Sequence, residues 1–135
     1  MKILFLAIAL MPFCLFSQNT ILVNIHNVQS ADGTINVAAY ASDGTFLSTD
    51  GAIKGSSVPA HKGIVTLKIE DLPAGKYALA VFHDENGNGE LDTNWLGIPK
   101  EKVAFSKGKA HMFGPPKYSE CTFDVVSDYE IDIAF

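Results

Sequence analysis

The sequence predicts an all-β protein, a single antiparallel β-sandwich of about seven strands preceded by a cleavable signal peptide. Three observations predict it. Apolar residues recur at every second position in several short runs, Gly, Pro, Asn and Asp clusters bound those runs, and no segment keeps a helical apolar spacing with a cap. Short strands of this number in a domain of this length favour two packed sheets, with a closed barrel as the alternative.

Met1-Lys2 is a short basic start, Ile3 to Phe16 is almost wholly apolar, and the small Ser17 precedes the polar pair Gln18-Asn19. That order reads as a signal peptide over residues 1–17, too short to cross a bilayer, with one domain over 18–135. Cys14 invites a lipid-anchor reading, but Met11, Pro12 and bulky Phe13 precede it, so a soluble exported form, periplasmic or extracellular, is expected. Loss of the signal leaves Cys121 as the remaining cysteine, so no internal disulfide is expected. The first strand follows, with Ile21, Val23 and Ile25 alternating with Leu22, Asn24 and His26. Ile35, Val37 and Ala39 make a second, and Ser30-Ala31-Asp32-Gly33 between them predicts a hairpin. Val65, Leu67 and Ile69 repeat the pattern. The turn Asp71-Leu72-Pro73-Ala74-Gly75 then leads into the nearly continuous apolar run Tyr77 to Phe82, which should be a central strand. Phe123 and Val125, then Tyr129, Ile131 and Ile133, predict a closing hairpin. Two long irregular stretches remain, Asp43 to Gly63 as a mobile crossover and Thr93 to Ser119 as an ordered, packed loop.

Composition narrows the function. The formal charge is −5 and the chain contains no arginine, so a phosphate backbone would be repelled and its usual side-chain partner is missing. Nucleic acid is not an expected partner, and after signal removal no second apolar segment of membrane length remains. An acidic protein of this kind suits a cation, and a monomer is expected.

The chemistry concentrates in His83-Asp84-Glu85-Asn86-Gly87-Asn88-Gly89-Glu90-Leu91-Asp92. Counting Asp84 as position 1 of a calcium loop places Asn86 at 3, Asn88 at 5, the turn glycine Gly89 at 6, Glu90 at 7 and Asp92 at 9. Position 12 falls on Trp95, which cannot give the bidentate carboxylate that completes the shell, so Asp50 or Glu101 would have to do so from elsewhere. The expected metal ligands are therefore Asp84, Asn86, Asn88, Glu90 and Asp92, with calcium as the cofactor and with the modest affinity of extracellular modules. The competing reading is a surface hairpin loop, since Asn-Gly is also tight-turn chemistry.

His83, His111, His26 and His61 form no paired ligand spacing, and no Cys-x-x-Cys is present. His83 either joins the binding site or braces the turn by hydrogen-bonding a loop carbonyl. Trp95, with Phe113 or Tyr118, either offers an aromatic surface to a glycan or an envelope protein or fills the core. No catalytic residue is assigned. An envelope hydrolase acting on glycan or peptide is the alternative, built on Cys121 with His111 or on Ser106 with His83 and Asp84, although none of these lies in a nucleophile motif, or, on a glycan, on the carboxylates of Glu85, Glu90 and Asp92 as acid and base. A third reading is assembly by strand donation from an exposed terminal strand.

Three motifs in order carry a family resemblance. They are Leu72 to Ala78, His83 to Asn94, and Gly97 to Glu101 followed by Ala104-Phe105-Ser106 and Gly114-Pro115-Pro116. Together they resemble the exported bacterial family catalogued as domain of unknown function 2141. Ala104 stands where that family usually has glycine, and Tyr118 where phenylalanine is common. The resemblance implies an exported sandwich similar to the transthyretin or carboxypeptidase-regulatory type, and it implies no activity.

Overall fold

The computed structural model describes residues 17–135, so the expected signal peptide lies, apart from Ser17, outside the described residues. Eight strands occur among the described residues: β1 (Gln18–Val28), β2 (Thr34–Tyr40), β3 (Lys54–Pro59), β4 (Gly63–Pro73), β5 (Gly75–Asp84), β6 (Val103–Phe105), β7 (Phe123–Val125) and β8 (Tyr129–Ala134). One sheet has the order β4-β1-β8. The other has the order β3-β2-β5-β6, with β7 also pairing β5. The two sheets pack face to face as a sandwich. All pairs are antiparallel except β1 with β8, which run parallel.

The period-two pattern explains the core. Ile21, Val23 and Ile25 of β1, Val65, Leu67 and Ile69 of β4, and Ile131 and Ile133 of β8 are buried against Ile35, Val37 and Ala39 of β2 and Leu79 and Val81 of β5. Each large aliphatic side chain taken fully out of water contributes roughly 1.5–3 kcal/mol. The outward positions are polar and pair across strands. Asn24 donates to Glu130 at 2.8 Å and accepts from the Thr66 hydroxyl at 2.9 Å, while His26 meets Asp132 at 2.8 Å. β5 carries the continuous apolar run and is central as expected, with β2 on one edge and β6 and β7 on the other.

Neither expected hairpin forms. Both edges of β1 are taken by β4 and β8, and both edges of β2 by β3 and β5, so Ser30 to Gly33 is a corner between sheets rather than a hairpin turn. The closing residues behave alike. β7 caps the start of β5, whereas β8 crosses to lie beside β1, and the crossing is anchored where the Thr20 N–H donates to Asp128 at 2.8 Å. The stretch expected to be an irregular crossover contains a 3-10 turn at Asp43–Thr45 and the edge strand β3. Lys54-Gly55-Ser56-Ser57 has no apolar alternation to reveal a strand. The second long stretch contains β6 and leads into one four-residue helix, α1 (Tyr118–Cys121).

Candidate functional site

The acidic run begins on the last two residues of β5, His83 and Asp84, and continues into the connection between β5 and β6, over the corner that follows β1. Gly33 has φ +68° there, and a side chain on it would overlap the Asp84 carbonyl oxygen, so the corner and the end of β5 touch backbone to backbone. His83 is 1% exposed, and its Nε2 bonds the Asp32 carbonyl oxygen at 2.8 Å, which makes Nε2 the protonated nitrogen. Its Nδ1 is 3.8 Å from the Glu85 carboxylate, and its ring stacks on Phe135. His83 thus braces the Asp32 carbonyl with Nε2, while Nδ1 faces the Glu85 carboxylate at the start of the acidic loop.

Asp84 is also 1% exposed, yet both its carboxylate oxygens are used. Oδ1 accepts from the Asn88 N–H at 3.2 Å and Oδ2 from the Gly89 N–H at 2.7 Å. Charge-assisted bonds of this kind fold the loop back over the end of the strand. Gly89, at φ +77°, makes the sharp turn that position 6 requires. The Asn86 side-chain oxygen accepts from Asn88 N–H at 3.2 Å, and that of Asn88 from Glu90 N–H at 2.9 Å. Both amide nitrogens then donate to one carboxylate, that of Asp92, from Asn86 and, at 3.0 Å, from Asn88. Asp84, Asn86, Asn88 and Asp92 are therefore brought together. Among the described residues Glu90 makes no side-chain hydrogen bond to the cluster, and position 7 of such a loop ligates through its carbonyl rather than its carboxylate.

Glu101 joins them, and Asp50 does not. The Glu101 carboxylate accepts the Glu85 N–H at 3.2 Å through one oxygen and the Asp92 N–H at 3.1 Å through the other. Asp50 belongs to the turn beyond the Tyr40 end of β2, whereas Asp84 pairs with Thr34 at the opposite end. Six residues of strand, about 20 Å, separate the two. A cleft of about 400 Å³ runs beside the cluster, lined by Glu85, Asn86, Asp92, Thr93, Lys100 and Glu101. Among the described residues no group of three or more His, Cys, Asp or Glu side chains is arranged as a metal site, so any cation here relies on amide and backbone oxygens as well as carboxylates. A half-turn of the Asn86 and Asn88 amides would point their oxygens where their nitrogens now meet Asp92.

The chain then rises as a narrow hairpin. Lys100 N–H donates to the Asp92 carbonyl at 2.8 Å, Thr93 bridges Pro99, and Asn94 N–H donates to Ile98 O at 2.9 Å. Asn94 organises the tip, its side-chain oxygen accepting from Leu96 N–H at 2.9 Å and Ile98 N–H at 3.0 Å. The Asn-x-x-Gly spacing of Asn94 and Gly97 was the signal for this role, which the sequence reading missed. Trp95 at the tip is 91% exposed, and Leu96 and Ile98 are also open to solvent. Core filling is thereby excluded for Trp95, and also for Phe113, which is 96% exposed at the separate turn closed by His111 and Gly114. The long stretch is ordered but not packed at its two tips.

The nucleophile pairings are not assembled. The Ser106 hydroxyl is fully buried, donates to Cys121 O at 2.6 Å and accepts from Leu79 N–H at 2.8 Å, four residues along β5 from His83. Cys121 is buried too, and burial pushes its thiol up. His111 instead bonds the Glu120 carboxylate at 2.9 Å.

Residues 23–133 match the family DUF2141, described as an uncharacterized protein conserved in bacteria. No curated protein and no solved structure matches the chain.

Proposed function

The chain belongs to the bacterial DUF2141 family, which carries no described activity, and we propose from its geometry that it is an exported, non-enzymatic binding module whose β5–β6 connection is clamped by calcium. The observation that carries this reading is the position of Glu101. Asp92 stands on the rising arm of the Trp95 hairpin and Glu101 on the descending arm, and both carboxylates meet the Asp84 loop. Glu101 takes the place that Trp95 occupies by sequence count. A cation held by Asp84, Asp92, Glu101 and the Asn86 and Asn88 oxygens, with the Glu90 carbonyl, ties the two arms together at their base. Its consequence is a fixed presentation of Trp95, Leu96 and Ile98 to an envelope partner. Export is supported by the basic start, apolar run and small Ser17 of the first 17 residues. With few formal charges in the shell, affinity in the range of about 10⁻⁴ to 10⁻³ M is expected.

Trp95 is the chain's single tryptophan, so its fluorescence anisotropy reports on the hairpin directly. Calcium added after chelation should raise that anisotropy and the unfolding temperature, with magnesium far weaker. At a hundredfold excess over Kd the native state gains about 2.7 kcal/mol. Both responses should vanish in Glu101→Gln. If calcium moves neither signal at about 10 mM, well above that affinity range, the clamp is wrong and the run is a turn.

One observation favours a second reading, assembly by strand addition. The outer edge of β8 has no strand partner among the described residues. Concentration-dependent self-association abolished by Asp132→Pro, which removes an N–H from the outer edge, in a variant that still folds as a monomer, would favour that reading over the clamp.

A further inference from the structure

A second cleft, about 560 Å³ in volume, lies near the other end of β5 and shares no residue with the acidic loop. Its walls are the 3-10 turn after β2 and the segment that enters α1. Phe46 is its hub, meeting Tyr40, Phe105 and Tyr118 edge-on with ring centroids 5.4, 6.4 and 5.7 Å apart. Tyr118 is oriented by its hydroxyl, which donates to Lys76 O at 3.3 Å. Burial first, and the Asp43 charge second, push the Tyr118 phenol up, and Asp43 lines the same cleft. The turn is tied internally, with Ser42 and Thr45 hydroxyls 2.8 Å apart and the Ser48 hydroxyl donating to Thr45 O at 2.7 Å. Leu47 then lines the cleft with φ +63°, a conformation leucine adopts only where its surroundings hold it.

The lining specifies a chemical class. Phe46, Tyr118, Leu47, Pro115 and Pro116 provide apolar surface, while Asp43, Lys117 and Ser119 supply an acceptor, a donor and a group that can be either. No ion pair joins Asp43 to Lys117 among the described residues, so both remain available to a ligand. A hydrocarbon would leave that carboxylate and ammonium without partners. A phosphate would meet the Asp43 carboxylate, in a chain that has no arginine to offset it. A sugar ring has what both features need: an apolar C–H face for the rings and hydroxyls at its rim for the polar groups. The volume also suits a small ligand rather than a macromolecular groove.

We propose that this cleft is a saccharide site, taking a pyranose ring against Phe46 and Tyr118 with Asp43, Lys117 and Ser119 reading its hydroxyls. It stands independently of the calcium clamp.

The test is a ¹H–¹⁵N titration of the protein expressed from its full sequence, with maltotriose, cellotriose and tri-N-acetylchitotriose each raised to about 10 mM, above the millimolar limit of weak specific binding. At least one trisaccharide should shift and saturate amides in 43–47 and 117–119, with or without calcium. Tyr118→Ala should weaken it about tenfold or more, as loss of a buried aromatic contact does. Asp43→Asn, which removes no packing, should weaken it too and serves if Tyr118→Ala fails to fold. No shift with any of the three sugars overturns the proposal. Shifts confined to the Trp95 hairpin, or a response of the cleft to a proline-rich peptide but to no sugar, overturn it equally.

Discussion

The two ends of β5 are held by opposite kinds of chemistry. At the Asp84 end, the connection to β6 has scarcely any apolar burial of its own and is folded by carboxylates and amides that accept backbone N–H groups. At the Gly75 end, the connections around α1 are fixed by rings packed on rings and by the buried Ser106 hydroxyl. The first kind of order rests on carboxylates and amides, whereas the second rests on contact. One scaffold thus carries a connection that, under the proposed clamp, a cation would tighten, and another set by packing. The contrast makes unequal demands on substitution at each end.

The largest effect is expected where the charged end meets the sandwich itself. Gly33→Ala forces a residue at φ +68° and drives its side chain into the Asp84 backbone carbonyl, which, unlike the end of a flexible side chain, cannot yield without moving the strand. Strain of about 1–2 kcal/mol plus the backbone clash should cost roughly 4 kcal/mol or more in urea unfolding. Gly89→Ala shares the positive φ but meets nothing within 4 Å, so only the strain, about 1–2 kcal/mol, is expected. Equal losses at the two positions would show that the corner can shift away from β5.

Next in size come the buried polar groups at the two ends. Ser106→Ala leaves Leu79 N–H and Cys121 O without their partner and should cost about 1–3 kcal/mol. Asp84→Asn replaces a carboxylate that accepts two N–H groups by one acceptor oxygen and a donor, with a cost of similar size, about 1.5–3 kcal/mol. The difference lies in the calcium response measured in the same unfolding experiment. The Ser106 variant should keep it, and the Asp84 variant should lose it. A Ser106 variant that also loses the response would mean the two ends are coupled through β5.

What was legible in the sequence divides along the same line. Ile21, Val23 and Ile25, or Val65, Leu67 and Ile69, each declare a strand and its inward face because alternation and burial are the same fact. Strand pairing was not legible. Ser30 to Gly33 has turn composition, but the residues cannot say that β1 is already paired on both edges, so a corner was read as a hairpin. β3 was invisible because an edge strand made of Lys, Gly and Ser has no pattern to show. The acidic spacing brought Asp84, Asn86, Asn88 and Asp92 together as counted, since those residues are local. Glu101 was only one of two carboxylates named for the missing position, and of the two it is the one that the hairpin returns to Asp92. Phe113 and Trp95 were ambiguous because aromatic residues serve cores and tips alike.

The smallest expected effect tests whether the contact-held end is indifferent to charge. Glu120 sits there, its carboxyl held below the ordinary range first by the hydrogen bond from His111 and then by that from the Lys117 N–H. A carboxyl lowered in the native state adds stability above its unfolded value, and that contribution is lost as pH falls through the native one. Asp132, lowered chiefly by His26 on the outer face of the other sheet, obeys the same sign. Both groups are exposed, so the loss should be slight. His111→Gln should flatten the Glu120 part of the acid slope, and His26→Gln the Asp132 part, in unfolding measured from neutral pH to below the carboxylate range. Contacts among Phe46, Phe105 and Tyr118, followed by ring NMR signals, should persist through the Glu120 titration while the His111 to Gly114 turn loosens. If the ring signals move with Glu120 instead, charge organises this end as well, and the division between the two ends of β5 fails.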